Sequence, residues 1–341
     1  MRTAVFHGVG RLEIVERATP RPGPGQVLLQ VAACGICGTD RHIFHGEFAT
    51  RPPVIIGHEY AGIVVEIGPG VTDLAPGDHV AVDPNIACGV CRPCRRGQVH
   101  MCRNLTALGV DLDGGFAEYS LAPRAQCYAL PQEVSLLEGA MAEPLACCVH
   151  GMDLAQVRSG DAVAVIGGGA IGQILAQLAR LQGAGRVVLS DPAASRREMA
   201  LRLGADAAID PLAEDPLAAG GALEDGADVV IEAVGSARTT AQAITWAAPG
   251  AAVLWFGVTP PGEAVAVEPN LIFQKELTIR GARINPYTHG RALALLGSGR
   301  LQVRPLITQQ APLEALPALL AEGPGDQIKT VIVPDPALLE R

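Results

Sequence analysis

The chain has 341 residues, 49% of them apolar and 18% charged, enough for two domains with a buried core and too apolar for a disordered chain. Its net charge of −9 argues against nucleic-acid binding, which needs clustered cations to neutralise phosphates, and the local trio Arg92, Arg95 and Arg96 does not reverse that balance. The opening MRTAVFHGVGRLEIVE lacks the apolar core of a signal peptide, and glycines and glutamines interrupt the longest apolar stretch, Val163 to Ala179, so a cytoplasmic protein without a membrane span is expected.

From Met1 to about Tyr128 the sequence predicts short strands, TAVFH, LEIVE, QVLLQVAA, AGIVVEI and HVAV, separated by the turn clusters PRPGPG, GPG and APGD. Within this mainly β lobe the stretch CGVCRPCRRGQVHMC carries Cys88, Cys91, Cys94 and Cys102. In a cytoplasmic chain with an odd count of nine cysteines, metal binding explains such a cluster better than disulfides. Four thiolates on one looping segment close a tetrahedron around Zn2+ with no open position, so a structural site is expected, with its lobe spanning about residues 85–105. Earlier in the chain, CGICGTDRH and GHEY offer Cys37 and His58, which with a carboxylate would make a mixed S/N/O site able to keep a position open for a substrate oxygen.

From about Gly160 strands alternate with helices: DAVAVIG and a helix to about Gln182, RVVLSD and a helix over about 194–203, ADVVIEA and a third helix, then AAVLWFG. Such alternation predicts a parallel, doubly wound sheet of Rossmann type, giving an α/β chain. VAVI runs into Gly167, Gly168, Gly169, Ala170, Ile171 and Gly172, fitting G-x-G-x-x-G at a strand-to-helix turn: a tight turn, a close approach of pyrophosphate, and tight packing of helix on strand. Asp191, at the end of the next strand, is placed to bind ribose hydroxyls and repel a 2′-phosphate, which favours NAD; Arg196 and Arg197 just beyond offer the opposite, a phosphate clamp. The Ala-, Gly-, Pro- and acid-rich segment 211–227 reads as solvated surface structure, and a helix near His289 to Ser298 and the strand KTVIV close the chain.

The ordered motifs CGICGTDRH, GHEYAG, GDHVAV, CGVCRPCRRGQVHMC, GGFAEY, AEPLACCVHG and GGGAIG resemble the zinc-dependent medium-chain dehydrogenase/reductase family over nearly the whole chain, most closely its polyol and threonine dehydrogenase branch. The resemblance implies a GroES-like catalytic domain at 1–147, a Rossmann dinucleotide-binding domain at 148–285, and a return to the first domain at 286–341. It also implies two zinc ions per chain, one catalytic and one structural. Cys37 and His58 become catalytic zinc ligands, and Glu59 and Glu143 stand as alternatives for, or sharers of, the remaining position. Thr39 and His42 become a relay for the hydroxyl proton, a role a hydroxyl and an imidazole are chemically suited to. Phe44, Phe48, Phe116, Arg283 and Asn285 are expected along the substrate site, with Arg41 of unassigned direction, and Cys147 and Cys148 as small buried residues. The expected activity is NAD-linked oxidation of a secondary hydroxyl of a polyol. L-threonine oxidation and a non-catalytic zinc and nucleotide-binding protein are the alternatives, and a homo-oligomer, tetramer or dimer, is expected by resemblance.

Overall fold

The computed structural model describes residues 1–323 and 325–340. The chain divides into two units, one of Met1–Ala146, Asn285–Gly299 and Val303–Arg341, the other of Cys147–Ile284 and Arg300–Gln302.

The first unit opens with strands β1 (Arg2–Gly8), β2 (Arg11–Glu16) and β3 (Gln26–Gly35), helix α1 (Gly38–His45), and strands β4 (Val54–Ile55), β5 (Glu59–Ile67) and β6 (His79–Val82). There follow β7 (Asn85–Ile86), α2 (Arg92–Arg95), β8 (Thr106–Ala107), β9 (Tyr119–Pro123), β10 (Cys127–Ala129), α3 (Leu136–Gly139) and α4 (Ala142–Ala155). Position in the sheets explains the patterning. β2, RLEIVE, lies on the edge of the small sheet β2-β1-β4 and exposes Arg11, Glu13 and Glu16. β3, QVLLQVAACG, is interior to the larger sheet, pairs with β5 and β9, and reads as a nearly continuous apolar run because both faces are covered. Val5, Leu29, Val31, Ile56, Tyr60 and Phe116 belong to the core beneath these sheets.

The second unit alternates β11 (Ala162–Ile166), α5 (Ala170–Leu181), β12 (Arg186–Ser190), α6 (Ala194–Arg202), β13 (Ala207–Ile209), β14 (Ala227–Glu232), α7 (Ala237–Trp246), β15 (Ala247–Trp255), α8 (Pro269–Lys275) and β16 (Thr278–Gly281). All neighbouring strands are parallel, in the order β13-β12-β11-β14-β15-β16. The order reverses between β11 and β14, and the crevice beyond their carboxyl ends is where such sheets bind dinucleotides. Segment 211–227 is largely exposed, but Leu223 is buried and anchors it to the core with Val230 and Trp246.

The chain then adds α9 (His289–Gly297), β17 (Ile307–Ala311), α10 (Leu316–Glu322) and β18 (Lys329–Ile332) to the first unit. β18 pairs antiparallel with β3, with Val331 opposite Gly35, and parallel with β17. β17, ITQQA, is a strand the sequence reading did not foresee, because its polar middle carries no alternation. Among the described residues no helix is long and apolar enough to cross a membrane.

Candidate metal and dinucleotide sites

The loop between β7 and β8 brings one sulfur each from Cys88, Cys91, Cys94 and Cys102 within 4.8 Å of one another. Tetrahedral zinc with Zn–S near 2.3 Å would set its sulfurs about 3.8 Å apart. Cys91 Sγ lies 3.4 Å from Cys94 Sγ and 3.9 Å from Cys102 Sγ, so the set fits that ion. The backbone favours thiolates here: Cys102 Sγ accepts from the N–H groups of Cys88 and Asn104, both at 3.3 Å. Backbone N–H donors of Arg103 and Cys94 pull the Cys91 thiol down to about 6. Burial, with the adjacent thiols of Cys91 and Cys102, pushes Cys94 up to about 12, so the four sulfurs do not ionise together without a cation among them.

A second group comprises Cys37, His58 and Glu59, again with ligand atoms within 4.8 Å of one another. Three strands and a helix cap assemble it. Cys37 stands at the N-terminus of α1, and Asp40, three residues on, turns back so that its Oδ2 accepts from the Cys37 N–H at 2.8 Å. The other oxygen of Asp40, which is fully buried, lies 3.5 Å from His58 Nδ1. The carboxylate faces the ring at ion-pair distance without a formed hydrogen bond, the placement of a carboxylate behind a metal-bound histidine. Burial disfavours the imidazolium, but Asp40 and Cys37 outweigh it and raise the His58 pKa well above the ordinary histidine range. Such a negative surround is suited to a cation.

Glu59 begins β5 directly opposite Gly35 of β3, and the first residue of β18, Lys329, forms a buried ion pair with its Oε2. Lys329 also donates to the Ile36 carbonyl at 2.9 Å. Burial works against the ammonium, yet Glu59 and Cys37 hold its pKa above the ordinary lysine value. Gly35 makes room for the pair: a Cβ there would sit 2.4 Å from Glu59 Oε2 and 2.8 Å from Lys329 Cε.

In the second unit, Gly167 takes φ of 105°, the left-handed side that glycine tolerates, at the turn between β11 and α5. A Cβ on Gly172 would lie 1.8 Å from the Gly167 carbonyl oxygen, so the helix packs on the turn only because that atom is missing. Around Gly169, which caps α5, a Cβ would meet nothing within 4 Å, leaving open space at the amino end of a 12-residue helix where a pyrophosphate finds N–H donors. Asp191 follows β12 and is 4% exposed; its oxygens accept from Gly168 N–H and Ala193 N–H, each at 2.8 Å.

The chain matches two family models, the alcohol dehydrogenase GroES-like domain over residues 23–132 and the zinc-binding dehydrogenase over residues 170–296. It is 40% identical to L-threonine 3-dehydrogenase of Pyrococcus horikoshii, covering 91% of this chain and 90% of that one. It is 33% identical to sorbitol dehydrogenase of Gallus gallus, covering 97% and 96%. The fold superimposes with a TM-score of 0.95 on a structure assigned as a zinc-binding dehydrogenase from Sinorhizobium meliloti 1021 bound to NADP, at 43% identity over 98% of this chain and 99% of that one.

The chain belongs to the zinc-binding dehydrogenases. In this zinc-binding dehydrogenase the expected ligands Cys37, His58 and Glu59 come together, whereas Glu143, second residue of α4 and buried, is not part of that group. Thr39 and His42 lie partly exposed on the first turns of α1. One expected substrate residue is corrected: Phe116 has no exposed surface and packs in the core, its ring against the site a Gly57 Cβ would take, so it has no face to offer a ligand; Phe44 is 7% exposed and belongs to the same core. Phe48 is exposed, Arg283 is an exposed residue of the second unit, and Asn285 is buried in the first. Arg41 donates through Nη1 to the Leu319 carbonyl at 2.5 Å, which ties α1 to α10.

Three residues placed at these groups and turns were not singled out from the sequence. Asp40 carried a signal, an acid three residues beyond the helix-capping Cys37. Lys329 carried none, since only the pairing of β18 with β3 brings it to Glu59. Glu232, at the end of β14 and fully buried, accepts from Val234 N–H at 2.8 Å, Gly235 N–H at 2.9 Å and the Thr239 hydroxyl at 2.8 Å, shaping the turn at the sheet's switch point.

Proposed function

We propose that the protein oxidises a secondary hydroxyl of a polyol to the ketone, passing hydride to NAD. The mixed thiolate, imidazole and carboxylate set of Cys37, His58 and Glu59 carries this reading, because three protein ligands are what a catalytic zinc with one open position requires. Zinc held there supplies Lewis acidity toward a hydroxyl oxygen. The chain's own groups do the rest. Asp40 backs His58, and Lys329 pairs with Oε2 of Glu59, which holds that carboxylate in place. The Thr39 hydroxyl takes the substrate's hydroxyl proton and His42 delivers it to water. The open amino end of α5 receives the pyrophosphate, and Asp191, with its carboxylate beside the Gly168 backbone, receives the adenosine ribose and disfavours a 2′-phosphate. Against a strict NAD preference stands the NADP bound in the Sinorhizobium structure. Arg197, however, is committed to the carbonyls of Asp191 and Pro192 at 2.8 and 2.7 Å, which takes one arm from any phosphate clamp.

For the substrate, the buried carboxylates of the group are engaged within the protein, Asp40 with Cys37 N–H and His58, Glu59 with Lys329. They are not offered to a ligand ammonium, and that favours a neutral polyol over an amino acid. A second reading, L-threonine oxidation, is favoured by the 40% identity to the Pyrococcus enzyme. Steady-state NAD reduction with sorbitol, xylitol, arabitol, mannitol, butane-2,3-diol and L-threonine decides between them. A kcat/KM for threonine about tenfold above every polyol, about 1.4 kcal/mol in the transition state, would overturn the polyol reading. A homo-oligomer is part of the proposal, to be checked by light scattering.

A further inference from the structure

Helix α1 ends at Gly46, whose φ of 79° and ψ of 16° are left-handed, and a Cβ there would lie 2.6 Å from Val9 Cγ2. That reversal swings the next residue back over the last turn. Glu47 N–H donates to the His42 carbonyl at 2.7 Å, and Glu47 Oε2 lies 2.6 Å from His42 Nδ1. The same histidine is therefore held twice by one residue, through backbone and through ring. The β1–β2 turn braces the arrangement, Gly10 N–H donating to the Phe44 carbonyl at 2.8 Å.

We propose that Glu47 is a positioning residue for the proton relay, fixing the tautomer and orientation of His42; this rests on the reading of His42 as the relay's last member. An ionised carboxylate has no proton to give, so the short contact requires Nδ1–H as donor. Nε2 is then the unprotonated nitrogen and the one atom of the ring able to take a proton. When it does, an N–H bond forms at Nε2 as the O–H bond of the preceding relay hydroxyl breaks. The resulting imidazolium lies against the Glu47 carboxylate, and the Nε2 proton leaves to bulk water, restoring the starting tautomer. With Glu47 gone, the neutral ring is free to carry its hydrogen on Nε2, a form that accepts nothing from the relay side.

Two measurements test this. The first uses ring-15N-histidine protein, with the His42 signals identified by their loss in His42→Ala. Wild type should show the Nδ1–H form and Glu47→Ala a substantial gain of the Nε2–H form, with Glu47→Asp intermediate; an unchanged tautomer in Glu47→Ala overturns the proposal. The second is a kinetic cycle at pH 7 with whichever substrate of the panel above the wild type oxidises. Glu47→Ala should lower kcat about tenfold, the low end for loss of a carboxylate behind a functional histidine, with KM for NAD changed little. In the His42→Ala background the same substitution should have no effect. An equal loss in both backgrounds overturns the proposal, as does no loss in either. If His42→Ala itself leaves kcat unchanged, the relay reading falls and the proposal with it. If the wild type reduces NAD with no substrate of the panel, the proposed function fails on its own, and the tautomer measurement still decides whether Glu47 sets the ring.

Discussion

Replacing Lys329 by Met keeps an unbranched side chain of similar length and deletes the ammonium that pairs with Glu59. Both partners are nearly buried, with side-chain exposures of 6% and 3%. Removing one member of a buried pair strands the other, at a cost of about 3–5 kcal/mol. The Ile36 carbonyl also loses its donor, worth about 1 kcal/mol. Each kcal/mol shifts Tm by about 2–4 °C in a unit of 150–250 residues, so zinc-free Lys329→Met should melt roughly 8–24 °C below zinc-free wild type. In the zinc-loaded protein the dication provides Glu59 with a counter-charge of its own, and the deficit should shrink to less than half. Differential scanning calorimetry of both proteins, loaded and after dialysis against a chelator, gives the four numbers. A deficit of the same size with and without zinc would refute the coupling of Lys329 to the metal group, and a deficit under about 1 kcal/mol in both states would refute the energetic reading of the pair altogether.

Cys94→Ser should reduce the zinc content from two ions to one per chain, lower the melting temperature and promote aggregation, because a closed site contributes its binding free energy to the folding of its loop; plasma emission spectrometry with a thermal melt checks it, and two retained ions with an unchanged melt would contradict it. Asp191→Ser should raise KM for NAD and narrow the preference for NAD over NADP in kcat/KM, as both a ribose partner and two backbone hydrogen bonds disappear; a wild type that prefers NADP would reverse the assignment. His289 is fully buried, and burial outweighs Asp83, 3.5 Å from its Nδ1, and the Val82 backbone in lowering its pKa below 6.5. The unfolded chain therefore takes up a proton that the folded one refuses, so stability is lost as pH falls below about 6.5, by up to about 1.4 kcal/mol per pH unit. His289→Phe should flatten the fall in urea midpoint between pH 6.5 and 5, and an unchanged slope would show that another group governs it.

The parallel unit was legible because each strand is a short apolar run bounded by turn residues and each helix begins just beyond it. The Gly167 to Gly172 turn was legible for a local reason, since each glycine answers a steric demand a few residues away. Cys37 and His58 could be read from their chemistry, for packing does not ask for a thiol and an imidazole at such places. What failed was facing. Phe44 and Phe116 lie in motifs beside the site, yet both side chains are buried in the core, Phe116 against Gly57, a placement no local pattern records. Glu59 and Glu143 could not be ranked from sequence because the difference lies in tertiary placement: one is at the head of β5 opposite Gly35, the other on α4. Lys329 was invisible for the same reason, a lysine at the start of an apolar strand being ordinary until its neighbour is known.

The insertion of β18 beside β3 has a consequence for biosynthesis. Residues 34–59 leave the ribosome long before residue 329, so through most of translation the Cys34–Gly35 end of β3, beyond the stretch that β9 covers, lacks its partner strand and Glu59 has no ammonium facing it. A nascent chain arrested before Lys329 thus holds the Glu59 carboxylate near Cys37 and His58 without the ammonium that pairs with it in the finished fold. Charge balance around Glu59 is therefore completed by one of the last residues to be made, and the first unit closes only when the final strand is delivered.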